Sequence, residues 1–175
     1  MRQTILLCTV LMMTLAPAAG WADRTVSQTV DKRDLSGGQR TDAGTRSWTE
    51  KNGCAADDAG HIIGNALGGE NDTNNMMPLD ARLNRGAYAQ FEQKVKALVT
   101  KHGEADVFVT LRFNTSVSST RPTQIEYVAK APAVKAQGLS AVTLSERFDN
   151  PLPSGWNQGC TCRGVAASAR KTPCK

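Results

Sequence analysis

Asp58-Ala59-Gly60-His61, an asparagine-rich turn from Asn71 to Asn75, the run Asn84-Arg85-Gly86 and then Glu92 set an imidazole, carboxamides and carboxylates along one short stretch of chain. Asn75 and Asn84 stand nine residues apart, and Glu92 follows eight further on. His61 is one of only two histidines. An imidazole titrates near neutrality and so can accept a proton under ordinary conditions. Amide and carboxylate oxygens are hard donors that suit Mg²⁺-like cations. Taken singly, each of these groups is an ordinary structural residue. Taken in this order, they can grip one divalent cation next to a base.

Such groups need elements to hold them. His61-Ile62-Ile63-Gly64 begins a short apolar strand that ends at Gly68-Gly69, and the side chains of Asn71 to Asn75 can bond their own backbone as a turn. Met76-Met77-Pro78-Leu79 reads as a second strand, which Pro78 should place at an edge or an end. Ala87, Phe91, Val95 and Leu98 recur at spacings of four, four and three, which predicts an amphipathic helix that stops before Gly103. Strand, turn, strand and helix make a ββα finger over about residues 58–99. Upstream, Asp23 to about Ala56 is polar, has turn signals at Gly37-Gly38, Asp42-Ala43-Gly44 and Asn52-Gly53, and reads as short strands and loops. Downstream, Asp106 to Phe113 and Thr123 to Ala129 carry alternating apolar residues and read as a hairpin or as adjacent core strands. From Ala131 onward Pro, Gly and Ser accumulate, which predicts an irregular extension held by cysteines.

The quoted residues carry a resemblance. Asp58-Ala59-Gly60-His61-Ile62-Ile63-Gly64, Gly68-Gly69, Asn75-Met76-Met77-Pro78, Leu83-Asn84-Arg85-Gly86-Ala87-Tyr88 and Glu92 resemble the DNA/RNA non-specific endonuclease family of the ββα-metal (His-Me finger) nucleases, over about residues 40–130. The resemblance implies that His61 is the general base and that Asn84 ligates Mg²⁺ or a similar ion such as Mn²⁺. It implies that Glu92 holds water of the metal's outer shell and that Asn75 braces the finger and orients His61. At Ala59 the chain departs from the family's commonest pattern, which has an arginine there to stabilise charge on phosphorus. Arg85, Arg46 or Arg40 are the candidates to supply that charge. Asp58 is expected to cap local backbone, Asp57, Asp72 and Asp80 to be solvated, and His102 to end the helix. Trp48, Trp156, Tyr88 and Tyr127 could stack on bases, but aromatics are only 5% of the chain, so most should be needed in the core.

Bulk properties frame this reading. Met1 to Ala22 has an early cation at Arg2, an apolar run from Ile5 to Leu15 and small residues at Gly20 and Ala22, the layout of a cleavable signal peptide. The run is too short to span a bilayer, so no membrane association is expected after cleavage. What remains has the size of one domain. Residues 23–130 are expected to form it, with 131–175 as a basic extension. Cys54, Cys160, Cys162 and Cys174 are an even set in an exported chain, which favours disulfides over zinc and leaves the pairing open. Of the formal charge of +5, the excess beyond Arg2 rests on Arg163, Arg170, Lys171 and Lys175, while residues 23–149 balance.

The expected fold is α+β. It comprises a small mixed or antiparallel sheet, an embedded ββα finger, one main helix and a disulfide-linked C-terminal extension. The expected activity is an exported, periplasmic or secreted, metal-dependent endonuclease acting on DNA and on RNA without sequence preference. An inhibitor or immunity protein would be a further partner, and no motif identifies one. The alternative is a nucleic-acid or cell-surface binding protein that keeps the scaffold with little or no catalysis. Metal-dependent turnover separates the two.

Overall fold

The computed structural model describes residues 21–38, 40–115 and 117–152, with Trp21 described by its backbone alone. The leader, Trp156, the basic tail and Cys160, Cys162 and Cys174 therefore lie outside the described residues.

Two antiparallel sheets and one long helix make the framework. Strands β1 (Trp21–Asp31), β4 (Glu104–Asn114), β5 (Gln124–Ala131) and β6 (Val142–Asp149) form a four-stranded sheet in the order β1-β4-β5-β6. Strict alternation sorts β4: Ala105, Val107, Val109, Leu111 and Phe113 point inward, while Glu104, Asp106 and Phe108 point out. Strands β2 (Asp57–His61) and β3 (Met76–Asp80) form a separate two-stranded ladder in which His61 faces Met76 and Ala59 faces Pro78. Both strands are edges, which is why Pro78 is tolerated.

Against β4 and β5 of the larger sheet packs α3 (Ala89–His102), which buries Phe91, Val95, Leu98, Val99 and His102. Tyr88, Phe91, Tyr127 and Phe148 meet at ring-centroid separations of 5.1 to 6.0 Å and join helix, sheet and β6 in one aromatic cluster. Ala87 is exposed, and the apolar stripe starts at Tyr88 instead. The reason is that Asn84–Tyr88 is a wide π turn, non-helical at Gly86, between the three-residue α2 (Ala81–Leu83) and α3. That turn shifts the helical register by a residue. His102 ends the helix as expected, with Nδ1 2.9 Å from the Pro132 carbonyl oxygen.

Three expectations about the elements need correction. The polar stretch before Ala56 holds the eleven-residue strand β1 and a helix, α1 (Ala43–Asn52), capped by Asp42, whose carboxylate accepts from Thr45 N at 2.8 Å. The buried residues of α1 are Thr45 and Thr49, so it carries no apolar stripe to be recognised. The strand expected to start at His61 ends there. Ile62 and Ile63 belong to the following turn and are buried because they fold under the finger. Past Ala131 the chain is not wholly irregular, since β6 pairs with β5 from Ala131↔Val142 to Gln124↔Asp149.

A buried polar knot joins the two sheets. Arg121, 1% exposed, donates through Nε and Nη2 to the Asp57 carboxylate at 2.8 and 2.9 Å. Asn150 donates to the carbonyls of Pro78 and Pro122 and accepts from Asp80 N at 2.9 Å. Asp57 is therefore not solvated, its side chain being 0% exposed. Asp72 and Asp80 work as caps, accepting from the backbone of Asn74 and Asn75 and of Arg82 and Leu83 respectively.

Candidate active site

Local sequence puts His61 at the last position of β2, where the ladder ends and the chain turns under the finger. Two anchors fix that turn. Asn75, 7% exposed, accepts from Ile63 N at 2.9 Å and donates to the carbonyls of Ile63 and Glu70 at 3.0 and 2.9 Å. Tyr88 donates its hydroxyl to the Ile62 carbonyl at 2.6 Å. A buried carboxamide with both ends used, next to a buried phenol, leaves the backbone after His61 little freedom.

Asn84 opens the π turn, which aims its side chain at β2. Its Nδ2 donates to Asp58 Oδ2 at 2.9 Å. The amide is thereby oriented with Oδ1 toward Gly60, where an added Cβ would lie 3.5 Å from that oxygen. Arg85 donates to the same carboxylate through Nε and Nη2 at 2.8 and 2.6 Å and is itself 73% exposed. Burial works against ionisation of Asp58, but the bonds from Arg85 and Asn84 and the guanidinium charge outweigh it, and its carboxyl is held below the usual range. Asp58 thus orients side chains of the helical turn rather than capping backbone.

Glu92, from the first turn of α3, lies under Gly64. A Cβ at Gly64 would fall 2.3 Å from Glu92 Oε1, so only glycine allows the approach. Burial pushes the Glu92 carboxyl up to about 8 against the opposing hydrogen bond from the Gly64 N–H. Among the described residues no basic side chain forms an ion pair with it.

His61, Asn84 and Glu92 line one open cleft of about 360 Å³, together with Arg40, Arg46 and Ala59. Asn75 does not line this cleft, and Arg85, bound to Asp58, is outside its lining too. Tyr88 and Tyr127 are in the core, out of reach of any base. The residues that sequence reasoning underrated are Asp58, Gly64 and the hydroxyl of Tyr88. Adjacent Asp57 and Asp58 on a strand must face opposite ways, and that alternation was the available signal for one inward acid and one outward.

The residues fit a divalent cation of one kind. Among the described residues no group of three or more His, Cys, Asp or Glu could enclose a metal. One oriented amide oxygen and one buried carboxyl instead suit a hard ion that keeps most of its water. The rise in the Glu92 carboxyl also marks a place where a nearby positive charge would be favourable.

An α+β framework with a two-stranded finger, a helix crossing it and these side chains on one cleft has the form of a nuclease domain. The chain belongs to the DNA/RNA non-specific endonuclease family, whose sequence model matches residues 30–133. It is 37% identical over 114 residues to "Probable deoxyribonuclease RhsA" of Dickeya dadantii (strain 3937), a match that takes in 65% of this chain and only 8% of that much longer protein. Its fold is similar to that of an extracellular endonuclease of solved structure, with a TM-score of 0.51 and 17% identity over 81% of this chain and 85% of the other.

Proposed function

We propose that this chain is an exported, divalent-cation-dependent endonuclease that hydrolyses phosphodiester bonds of DNA, and of RNA, without sequence preference. The observation that carries the reading is the shared cleft of His61, Asn84 and Glu92 in a chain of the non-specific endonuclease family. His61 takes the proton of the attacking water as that oxygen bonds to phosphorus. The bond from phosphorus to the 3′ oxygen breaks, and the 3′ oxygen takes a proton from solvent, leaving a 5′ phosphate and a 3′ hydroxyl. Asn84 would hold Mg²⁺ or Mn²⁺ through the Oδ1 that Asp58 orients, and Glu92 would hold water of the ion's outer shell. When bound, the ion supplies charge to the scissile phosphate and to the leaving oxygen. Asn75 keeps His61 in place by fixing the turn behind it. A phosphate, not a base, is the group such an open polar cleft engages, which is the physical basis for low sequence preference.

Export rests on the leader-like segment 1–22, with periplasm or medium as the destination. Among the described residues no helix is long and apolar enough to cross a membrane. Cys54, 2% exposed, is proposed to pair with a cysteine of the tail, and the basic residues of that tail to lie along substrate phosphates. Incubating the oxidised protein with plasmid DNA in Mg²⁺, in EDTA and as His61→Ala tests the whole reading. Cleavage that needs both the ion and His61 is the expected result. Intact DNA from folded protein would shift the assignment to a binding protein on a nuclease scaffold.

A further inference from the structure

Of the three arginines that could charge the cleft, Arg40 and Arg46 line it and Arg85 does not. Ala59 lies on its floor and brings no cation, although it is next to the residues that hold Asn84. Arg85, the arginine nearest in sequence to Asn84, has its guanidinium turned onto Asp58 by two hydrogen bonds, so its charge is locally opposed. Arg33, Arg112 and Arg121 are likewise paired with carboxylates. Arg40 and Arg46 line the cleft, are exposed, and form no ion pair among the described residues.

Arg46 is anchored. Arg46 is in α1, and its Nη1 donates to the Thr41 carbonyl at 2.7 Å, which ties the guanidinium to the loop that carries Arg40. The helix itself is fixed to the finger by Thr45, whose hydroxyl donates to Asn71 Oδ1 at 3.2 Å. Two guanidiniums without an ion pair, on a helix and its entry loop, line one polar cleft with an imidazole and make a site for a dianionic or bridging phosphate.

We propose that Arg40 and Arg46, and not Arg85, are the cations that contact the substrate phosphate in the His61 cleft. This deepens the nuclease reading and rests on it for the catalytic part. The two arginines take the place of the side chain that Ala59 lacks, and Arg85 serves Asn84 through Asp58.

The test uses two readouts on the full chain. One is plasmid cleavage in Mg²⁺. The other is fluorescence anisotropy of a labelled oligonucleotide in EDTA across a salt series. The variants are Arg40→Gln, Arg46→Gln, Arg85→Gln and, as a control of equal charge on the outer face of β6, Arg147→Gln. Arg40→Gln and Arg46→Gln are each expected to lower kcat/KM roughly ten- to a thousandfold. Each should also reduce the slope of log affinity against log salt by about one. Arg40→Lys and Arg46→Lys keep the point charge and should restore the slope, which separates loss of charge from loss of fold. Arg85→Gln and Arg147→Gln should keep the slope. Unchanged slopes and rates in Arg40→Gln and Arg46→Gln, or a slope lost only in Arg85→Gln, would overturn the assignment. A wild-type protein that binds through these arginines but does not cleave would defeat the nuclease reading and leave the cation assignment standing. Ion-dependent cleavage indifferent to both arginines would do the reverse.

Discussion

Asp58 sits between two adjacent residues of opposite use, holding Asn84 by its amide and Arg85 by its guanidinium. If Asn84 is the ligand, removing the group that orients it should weaken the ion without unfolding the chain. Asp58→Ala is expected to raise the Mg²⁺ concentration for half-maximal cleavage by about 10- to 100-fold. Asn84→Ala should abolish cleavage with a nearly unchanged melting midpoint. An active Asn84→Ala protein would overturn the metal assignment. Glu92 gives a prediction with a sign. Its carboxyl is raised from 4.5 to about 8 by burial, so the folded chain holds the proton more tightly than the unfolded chain. Its contribution is fully present below pH 4.5 and is lost as pH rises through about 8, a loss on the order of a few kcal/mol in metal-free protein. Urea unfolding in EDTA at pH 5 and pH 9 should show this fall in the wild type and a smaller one in Glu92→Gln. Equal pH dependence in both proteins would count against a buried, ion-free Glu92.

Elements differ in how openly the sequence declares them. Helix α3 was legible because Phe91, Val95 and Leu98 repeat on one face, and β4 and β5 because their apolar residues alternate. Helix α1 was not, since its buried positions are threonines and Gly44 lies in its first turn. The strand carrying His61 was misplaced for a related reason. Asp57 to His61 contains no large apolar residue, so Ile62-Ile63 drew the boundary forward. His61, Asn84 and Glu92, which line one cleft, stand out in the sequence by type and order, whereas the partners that orient them depend on which side of a strand faces in. Phe91 tests the packing of the main helix. It is 3% exposed and meets Tyr127 at 5.1 Å between ring centroids, so Phe91→Ala should cost about 3–5 kcal/mol in chemical denaturation. A loss under 1 kcal/mol would mean that α3 is not seated as described.

At the scale of the molecule, two sheets that share no strand must be kept in register if His61, on the finger, and Glu92, on the helix packed against the larger sheet, are to face one cleft. The Arg121–Asp57 pair does this across a buried boundary. Arg121→Ala leaves an unpaired buried carboxylate and is expected to cost about 3–5 kcal/mol, whereas replacing both partners by apolar residues should cost less. A double-mutant cycle on thermal or urea unfolding reads the difference. Strand β6 and Asn150 complete the same joint, yet both lie past residue 133, where the family's sequence model stops matching. A boundary drawn by sequence similarity would thus cut through a mechanical joint. A fragment ending at residue 133 would expose the β5 edge and strand the Pro78 and Pro122 carbonyls and the Asp80 N–H without Asn150. Such a piece should aggregate, while one ending at residue 152 should stay soluble, as gel filtration of the two would show. Anyone grafting this catalytic unit onto another protein would have to carry some twenty residues beyond the recognisable motif, because the grip on the finger comes from a segment with no chemistry of its own.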